Sequence, residues 1–169
     1  MSSAEHAELV EIAAVWLRNT RKCRVVATEI VTATSETPDA IGWTSRESIV
    51  VECKVSREDF FRNEKKAHER AGSSVGDEKW FLTPEGLVRP GEVPEGWGLL
   101  EVHRTGYGAR GYWVKKTVHA PSRERTVWSV LAERKILVSV AQRSLTALDQ
   151  VRPLSLGDVE TEEHDERDA

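Results

Sequence analysis

The chain of 169 residues has little cysteine, no long apolar run and no sign of a secretory leader. Its longest apolar stretches are only a few residues, whereas a membrane-spanning helix needs roughly 18 or more, so a transmembrane role is excluded. Two cysteines, Cys23 and Cys53, are too few for a disulfide framework or a four-ligand zinc site of their own. Residues 1–6 carry no basic start followed by an apolar segment. A signal peptide is therefore not expected, and a reducing cytoplasm is the expected compartment.

The formal net charge of -4 hides an uneven distribution. Residues 157–169 contain seven acids and one base, a net charge of -6, and this acidic tail is expected to be disordered. The remaining body has a net charge of +2, and within it the segment 102–148 reaches +7. A negative total therefore does not exclude a nucleic-acid partner, which usually meets a basic surface.

Apolar periodicity and turn residues predict one α/β domain over residues 1–156, with a mixed central sheet flanked by helices. The predicted helices cover residues 7–19, 56–71 and 122–148. The predicted strands cover residues 24–31, 39–43, 48–54, 79–83, 98–103 and 111–119. Residues 44–47 join the second and third strands as a hairpin, and residues 84–97 are expected to be a turn-rich connection with a short helical piece.

This hairpin carries the most informative polar residues of the chain. Asp39 opens its first strand, and Glu52 and Lys54 lie near the end of the second, two residues apart and therefore on one face. Glu52 and Lys54 follow an apolar run, residues 49–51, at a depth where a charged group is costly unless it is paired or bound to a cation. Two neighbouring carboxylates repel one another, and a divalent cation relieves that repulsion. Carboxylates together with a strand carbonyl, such as that of Cys53, suit Mg²⁺ or Mn²⁺ rather than zinc.

A lysine beside such a metal has a chemical use. It can orient or help to deprotonate an attacking water and can steady the charge that builds on a phosphate oxygen, which is typical of phosphodiester hydrolysis. An exposed hairpin with an acid–lysine surface pair is the simpler alternative, because acid-x-Lys tripeptides are common by chance. Cys53 points to the opposite face from Glu52 and Lys54, so it is expected to be a buried small hydrophobe. The five histidines show no mutual metal-binding spacing and are expected to be exposed or locally bonded.

A helical acid, a proline–aspartate pair and an acid-x-lysine tripeptide occur in this order: Glu8, Pro38-Asp39 and Glu52-Cys53-Lys54. The arrangement resembles the PD-(D/E)XK nuclease superfamily, which includes archaeal Holliday-junction resolvases and many restriction endonucleases. Residues 56–60, 79–84 and 96–100 are similar to its MmcB-like DNA-repair branch, and the likeness covers about residues 5–102. Where that branch has Asp-x-Lys-Trp, residues 63–66 of this chain are Asn-Glu-Lys-Lys.

The resemblance implies a restriction-endonuclease-like core over about residues 5–102, and the predicted strand and long C-terminal helix of residues 103–150 extend it. The resemblance also implies that Asp39 and Glu52 bind metal and that Lys54 acts on the nucleophilic water, while the donor chemistry adds the Cys53 carbonyl as a further ligand. Glu8 would complete the acid set. Glu5 lies on the same helical stripe and is the alternative acid, and both acids could instead belong to a frayed first turn.

The candidate substrate-binding residues are of two kinds. The resemblance places Lys65 near the active cleft, and Ser56 either faces the cleft or only caps the second helix. Arg104, Lys115 and Lys116 belong to a segment in which bases alternate with glycines and aromatics, a composition that fits a nucleic-acid groove. A tyrosine-rich hairpin packed on the sheet explains that segment equally well.

The sequence therefore predicts a nuclease that uses Mg²⁺ or Mn²⁺ to hydrolyse DNA in repair, recombination or the processing of phage and mobile-element DNA. A weakly active or inactive nuclease-fold module that binds branched or single-stranded nucleic acid is the alternative. A metabolic or interaction protein without nucleic-acid contact is the third hypothesis. The sequence does not distinguish DNA from RNA, a branched from a linear substrate, or endonuclease from exonuclease action. It also leaves dimerisation open, although resolvase-like relatives commonly act in pairs, and no membrane partner is expected.

Overall fold

The computed structural model describes residues 3–30, 38–62, 75–106 and 111–151. Its centre is a mixed sheet in which the strands lie in chain order, β1-β2-β3-β4-β5-β6. The strands are β1 Val25–Thr28, β2 Ala40–Trp43, β3 Ser48–Cys53, β4 Glu78–Pro84, β5 Gly98–Arg104 and β6 Tyr112–Val118. The strands β3, β4 and β5 run parallel, and the other neighbouring pairs are antiparallel. A short 3₁₀ helix, Pro90–Glu92, lies in the connection between β4 and β5.

Helices cover both faces of the sheet. They are α1, Ala4–Asn19, α2, whose described part is residues 57–62, and α3, Val127–Val151. The predicted α/β architecture, with a central mixed sheet flanked by helices and a long C-terminal helix, is confirmed. Residues 63–74, including Lys65, and the acidic tail 157–169 lie outside the described residues.

Side-chain caps shift two helix starts from the predicted positions. The helix α1 begins three residues early because the Ser3 hydroxyl accepts a hydrogen bond from the His6 amide at 3.2 Å. The helix α3 begins at Val127, five residues later than predicted, where the Thr126 hydroxyl accepts from the Ser129 amide at 3.1 Å. Local hydrogen bonds at the first turn therefore set both boundaries, whereas apolar spacing alone extends across them.

The core is divided by the sheet. On one face, α1 packs against inward side chains of the central strands, among them Ile49, Val51, Cys53, Trp80 and Leu82. On the other face, Ile136 of α3 packs with a cluster around β2 and β3, and Phe60 of α2 packs with Phe81 and Leu99. Alternate residues of β3 therefore face different helices, so Cys53 faces α1 whereas Glu52 and Lys54 face the α2 side.

A polar network fastens α3 to the edge of the sheet where β3 and β4 begin. Arg125 donates to Glu133 at 2.6 Å and to Asp77 at 3.2 Å. Glu133 also accepts from the Trp43 indole at 2.8 Å and from the Ser48 hydroxyl at 2.9 Å. We call these five residues the Arg125 network. Because its members come from β2, β3, the approach to β4 and α3, it links segments far apart in the chain.

Acid is expected to weaken this edge of the sheet. Burial alone would raise the pKa of Asp77, but hydrogen bonds from Ser48 and Arg125 outweigh it and lower that pKa. Burial would likewise raise the pKa of Glu78, but the contacts with Arg21 outweigh it, and the pKa is lowered. A carboxylate with a lowered pKa contributes stability that is fully present above its unfolded-state value near 4, and this stability is lost as pH falls through the folded-state value.

We therefore expect the urea midpoint, followed by tryptophan fluorescence, to hold above pH 5 and to fall steadily below about pH 4. Arg21→Met, which removes the cationic partner of Glu78 and leaves it the hydrogen bond from the Trp80 indole, should flatten part of this dependence. A midpoint that does not move between pH 5 and pH 3 would contradict the assignment.

Within the described ranges, no helix combines the length and apolar character that crossing a membrane requires.

Candidate active site

The candidate residues gather at one edge of the sheet. Because β3, β4 and β5 are parallel, their carboxyl ends share this edge, and the antiparallel strands β2 and β6 begin there. The N-terminal turns of α1 reach the same edge, where His6 Nε2 lies 3.4 Å from Asp39 Oδ2. Residues that the sequence places far apart are therefore neighbours here. We call this the carboxyl edge.

Asp39 lies immediately before β2 and is tied to β3. Its Oδ2 accepts a hydrogen bond from the Cys53 amide at 2.7 Å. The register that pairs Ala40 with Val51 places Asp39 beside Glu52 on the neighbouring strand. The Asp39 side chain thus extends the hydrogen bonding between the two strands by one position.

Lys54 is the buried cation of the carboxyl edge. Its side chain is 5% exposed, and its Nζ lies 3.5 Å from Glu52 Oε2 and 3.9 Å from Asp59 Oδ2. A buried ammonium is costly unless carboxylates surround it, so this pairing accounts for a charged lysine at the end of a buried strand. Asp59 comes from the first turn of α2 and was not among the predicted site residues.

Cys53 is buried, as predicted, and is not suited to act as a nucleophile. Burial, reinforced by the nearby carboxylates of Asp39 and Glu52, raises the pKa of its thiol far above the usual range. In a strand, the N–H and C=O of one residue point to the same side. The Cys53 carbonyl therefore lies on the side of β3 where its amide meets Asp39.

Glu8, the predicted helical acid, forms a bidentate ion pair with Arg104 at the end of β5, with contacts of 2.8 and 2.7 Å. The hydrogen bonds from Arg104 lower the pKa of Glu8. Glu5 is exposed, whereas Glu8 is half-buried. The structure thus brings Glu8 and Arg104, predicted for different roles, into contact with one another, while His6 is the α1 residue in contact with Asp39.

The remaining predicted substrate-binding residues are dispersed. The Ser56 hydroxyl caps α2 by accepting from the Asp59 amide at 3.2 Å. Lys115 lies opposite Glu101 in β5, whereas Lys116 lies opposite Leu100, so their side chains are on different faces. Lys115 therefore shares the face of Lys54, whereas Lys116 lies on the opposite face.

A polar row crosses the α2 face at this level of the sheet. The strand registers align Lys54, Thr83, Glu101 and Lys115 on successive strands. Glu101 accepts from the Thr117 hydroxyl and from the Gly86 amide at 3.0 Å, which lowers its pKa although burial acts in the opposite direction. The Thr83 hydroxyl is buried and has no hydrogen-bond partner in the described part of the chain.

The donor chemistry at the carboxyl edge fits a hard divalent cation. Among the described residues, no group of three or more His, Cys, Asp or Glu side chains is placed to hold a metal. Mg²⁺ does not need such a cage, because it is commonly bound through one or two carboxylates, with water and substrate phosphate completing its octahedron. Asp39, Glu52 and the Cys53 carbonyl are the residues that would hold it.

Two residues of this edge were missed in the sequence. His6 was expected, like the other histidines, to be exposed or locally bonded, yet it contacts Asp39 and stands three and four residues before Leu9 and Val10, which are both buried. That spacing is the signal that places it on the packed side of α1. Asp59 stands five residues after Lys54, across the start of a helix, and no periodicity identifies such a contact.

The comparisons with known proteins support the fold alone. No family model and no curated protein matches the chain. A solved structure of a protein of unknown function from Silicibacter pomeroyi is similar to it, with 22% sequence identity and a TM-score of 0.63. The alignment covers 94% of this chain and 100% of that one. The described architecture is therefore shared over nearly the whole length.

Proposed function

We propose that the chain is a metal-dependent nuclease that hydrolyses DNA phosphodiester bonds at the carboxyl edge. The observation that carries the proposal is the position of a 5% exposed lysine, Lys54, 3.5 Å from Glu52, with Asp39 held on the adjoining strand by the Cys53 amide. The resemblance of these residues to the PD-(D/E)XK motif supports the same chemistry. The free, buried thiols of Cys23 and Cys53 fit a reducing cytoplasm.

The reaction adds a water oxygen to phosphorus and breaks one phosphorus–oxygen bond to a sugar, while the water loses a proton and the leaving oxygen gains one. Asp39 and Glu52 would hold Mg²⁺, which when bound supplies Lewis-acid polarisation of the phosphate and a more acidic water. Lys54 is fixed by Glu52 and Asp59, so its ammonium is oriented before substrate arrives. It can donate to the attacking water or to a phosphate oxygen and so stabilise the charge that develops there.

The basic test is cleavage of supercoiled plasmid, linear duplex, single-stranded and branched DNA by the purified chain with Mg²⁺, with Mn²⁺ and with a chelator. The proposal expects cleavage of at least one substrate that depends on the metal and stops with the chelator. Salt-dependent binding of DNA with no cleavage under either metal would select the alternative of an inactive nuclease-fold module.

A homodimer is the second partner that we propose, and the surface that favours it is the outer side of α3. Ser129, Ile136 and Val140 face the sheet, whereas Leu131, Val138 and Leu145 are 40%, 50% and 60% exposed. At 3.6 residues per turn, these exposed residues lie on the opposite side of the helix and repeat every seven positions, the spacing of a helix–helix seam. Exposed apolar residues Val127, Val130 and Leu137 broaden it.

A second copy is the occupant that fits this seam. It presents an identical seven-residue repeat, as the self-complementary interface of a two-fold dimer requires.

Val138→Lys is therefore expected to convert the assembly from twice the 19.0 kDa chain mass to a single chain, measured by light scattering after gel filtration. Ala147→Lys, exposed on the other side of α3, is the matched control and should leave the dimer intact. A wild-type chain that elutes as a monomer at all concentrations would contradict the proposal.

A further inference from the structure

An exposed tryptophan lies on the α2 face beyond the polar row. Trp113 of β6 is 48% exposed, although tryptophan is usually largely buried. It pairs directly with His103 of β5, and the two rings stack with centroids 4.3 Å apart and planes 19° from parallel. One face of the indole is therefore covered by the protein, and much of the remainder is open to solvent.

The support beneath Trp113 is itself held in place. The His103 side chain is 12% exposed, and its Nδ1 lies 3.0 Å from Glu85 Oε1, at the end of β4. The chain from Glu85 through His103 to Trp113 thus crosses three neighbouring strands of the sheet. An aromatic ring supported in this way is oriented before any ligand arrives, which lowers the entropic cost of stacking on it.

The position of Trp113 relates it to the carboxyl edge. Trp113 is two residues before Lys115 on β6 and therefore shares the face of Lys115 and, through the polar row, of Lys54. Three strand spacings separate β3 from β6, which is about 14 Å across the sheet. Lys115 is exposed two residues after Trp113 on the same strand, so it can contact a phosphate next to a base that stacks on Trp113.

We propose that Trp113 is a stacking site for an unpaired nucleobase of DNA that lies along the carboxyl edge, where β6 begins beside the end of β5 and where Lys54 follows β3. Every base offers a π-face to an aromatic ring, and this contact is insensitive to sequence. Bases inside a duplex are stacked on one another, so the site selects single-stranded or branched DNA over intact duplex. This inference rests on the proposed function and adds the substrate class to it.

The test measures the binding of a fluorescently labelled single-stranded oligonucleotide, and of the same sequence as a duplex, in chelator without added metal. Trp113→Ala is expected to weaken single-strand binding about tenfold or more and to leave duplex binding nearly unchanged. Trp113→Phe should retain most of the single-strand affinity because it keeps an aromatic face. The matched control is Trp128→Ala, because Trp128 is 74% exposed on α3 and should be dispensable for DNA binding.

Equal single-strand binding by wild type and Trp113→Ala would overturn the inference, as would equal losses for both DNA forms or no wild-type binding to either. Thermal melting of each variant separates loss of the stacking site from loss of the fold. Because binding is measured without metal, the two proposals fail separately. Metal-dependent cleavage with no effect of Trp113→Ala rejects only the stacking site, whereas the expected binding loss without any cleavage rejects only the nuclease.

Discussion

Asp39→Asn and Lys54→Met are each expected to lower metal-dependent DNA cleavage by about a hundredfold or more. The asparagine keeps an oxygen that can accept from the Cys53 amide, so it removes the charge while preserving the bond that positions the residue. The methionine keeps the apolar stem of Lys54 but removes the only part of the side chain that can donate to water or phosphate. Initial rates of plasmid nicking at saturating Mg²⁺ provide the measurement.

The matched control for Lys54→Met is Arg46→Met, at an exposed position of the β2–β3 turn, at the opposite end of the hairpin from Asp39 and Glu52. It should cleave at the wild-type rate. Melting curves must show that both active-edge variants remain folded. A Lys54→Met variant that cleaves as fast as wild type would remove lysine from the mechanism, and an active Asp39→Asn variant would remove the metal-binding role of that carboxylate.

Glu133→Ala is expected to destabilise the fold by about 3 kcal/mol or more, because it breaks the Arg125 network. Glu133 is 8% exposed and accepts hydrogen bonds from Arg125, Trp43 and Ser48. Its loss leaves a largely buried guanidinium with Asp77 as its remaining acidic partner in the network, and an indole N–H without its acceptor. Equilibrium denaturation in urea measures the change in the free energy of unfolding.

Glu124→Ala provides the comparison, since Glu124 is exposed and precedes α3. It should change the free energy of unfolding by less than about 0.5 kcal/mol. If the two variants unfold at the same denaturant concentration, the Arg125 network does not fasten α3 to the sheet.

The sequence predicted the central strands well because their signals are local. Residues 49–51 form an uninterrupted β-branched run that Glu52 and Lys54 follow, and the observed strand is Ser48–Cys53. The first strand was predicted over residues 24–31, yet β1 is only Val25–Thr28. Glu29 takes a positive φ of 48° after β1, and a conformation of that kind has no signature in apolar spacing.

The candidate site was predictable where its members lie on adjoining strands of one hairpin. The position of Asp39 opposite Glu52, with Lys54 on the same face as Glu52, follows from strand pairing and the alternation of side chains. The pairing of Glu8 with Arg104 joins residues 96 positions apart, and the bond between Trp43 and Glu133 joins residues 90 positions apart. Such contacts depend on the packing of whole elements, which a single sequence does not specify residue by residue.

The later basic segment shows the same limit. Arg104, Lys115 and Lys116 were grouped because all three are basic and close in the chain. The strand β6 separates them, since Lys115 and Lys116 alternate between faces and Arg104 is engaged by Glu8. Charge counted along the sequence predicts a basic segment, but the alternation of side chains along a strand determines which charges lie on the same surface.

The most direct measurement is the anomalous scattering of Mn²⁺ in crystals of the wild-type chain soaked with the metal. We expect a peak in contact with the carboxylates of Asp39 and Glu52, and no such peak in crystals of Asp39→Asn. Saturating Mn²⁺ that produces no peak between these carboxylates, or peaks only elsewhere on the chain, would contradict a metal-dependent active site at the carboxyl edge.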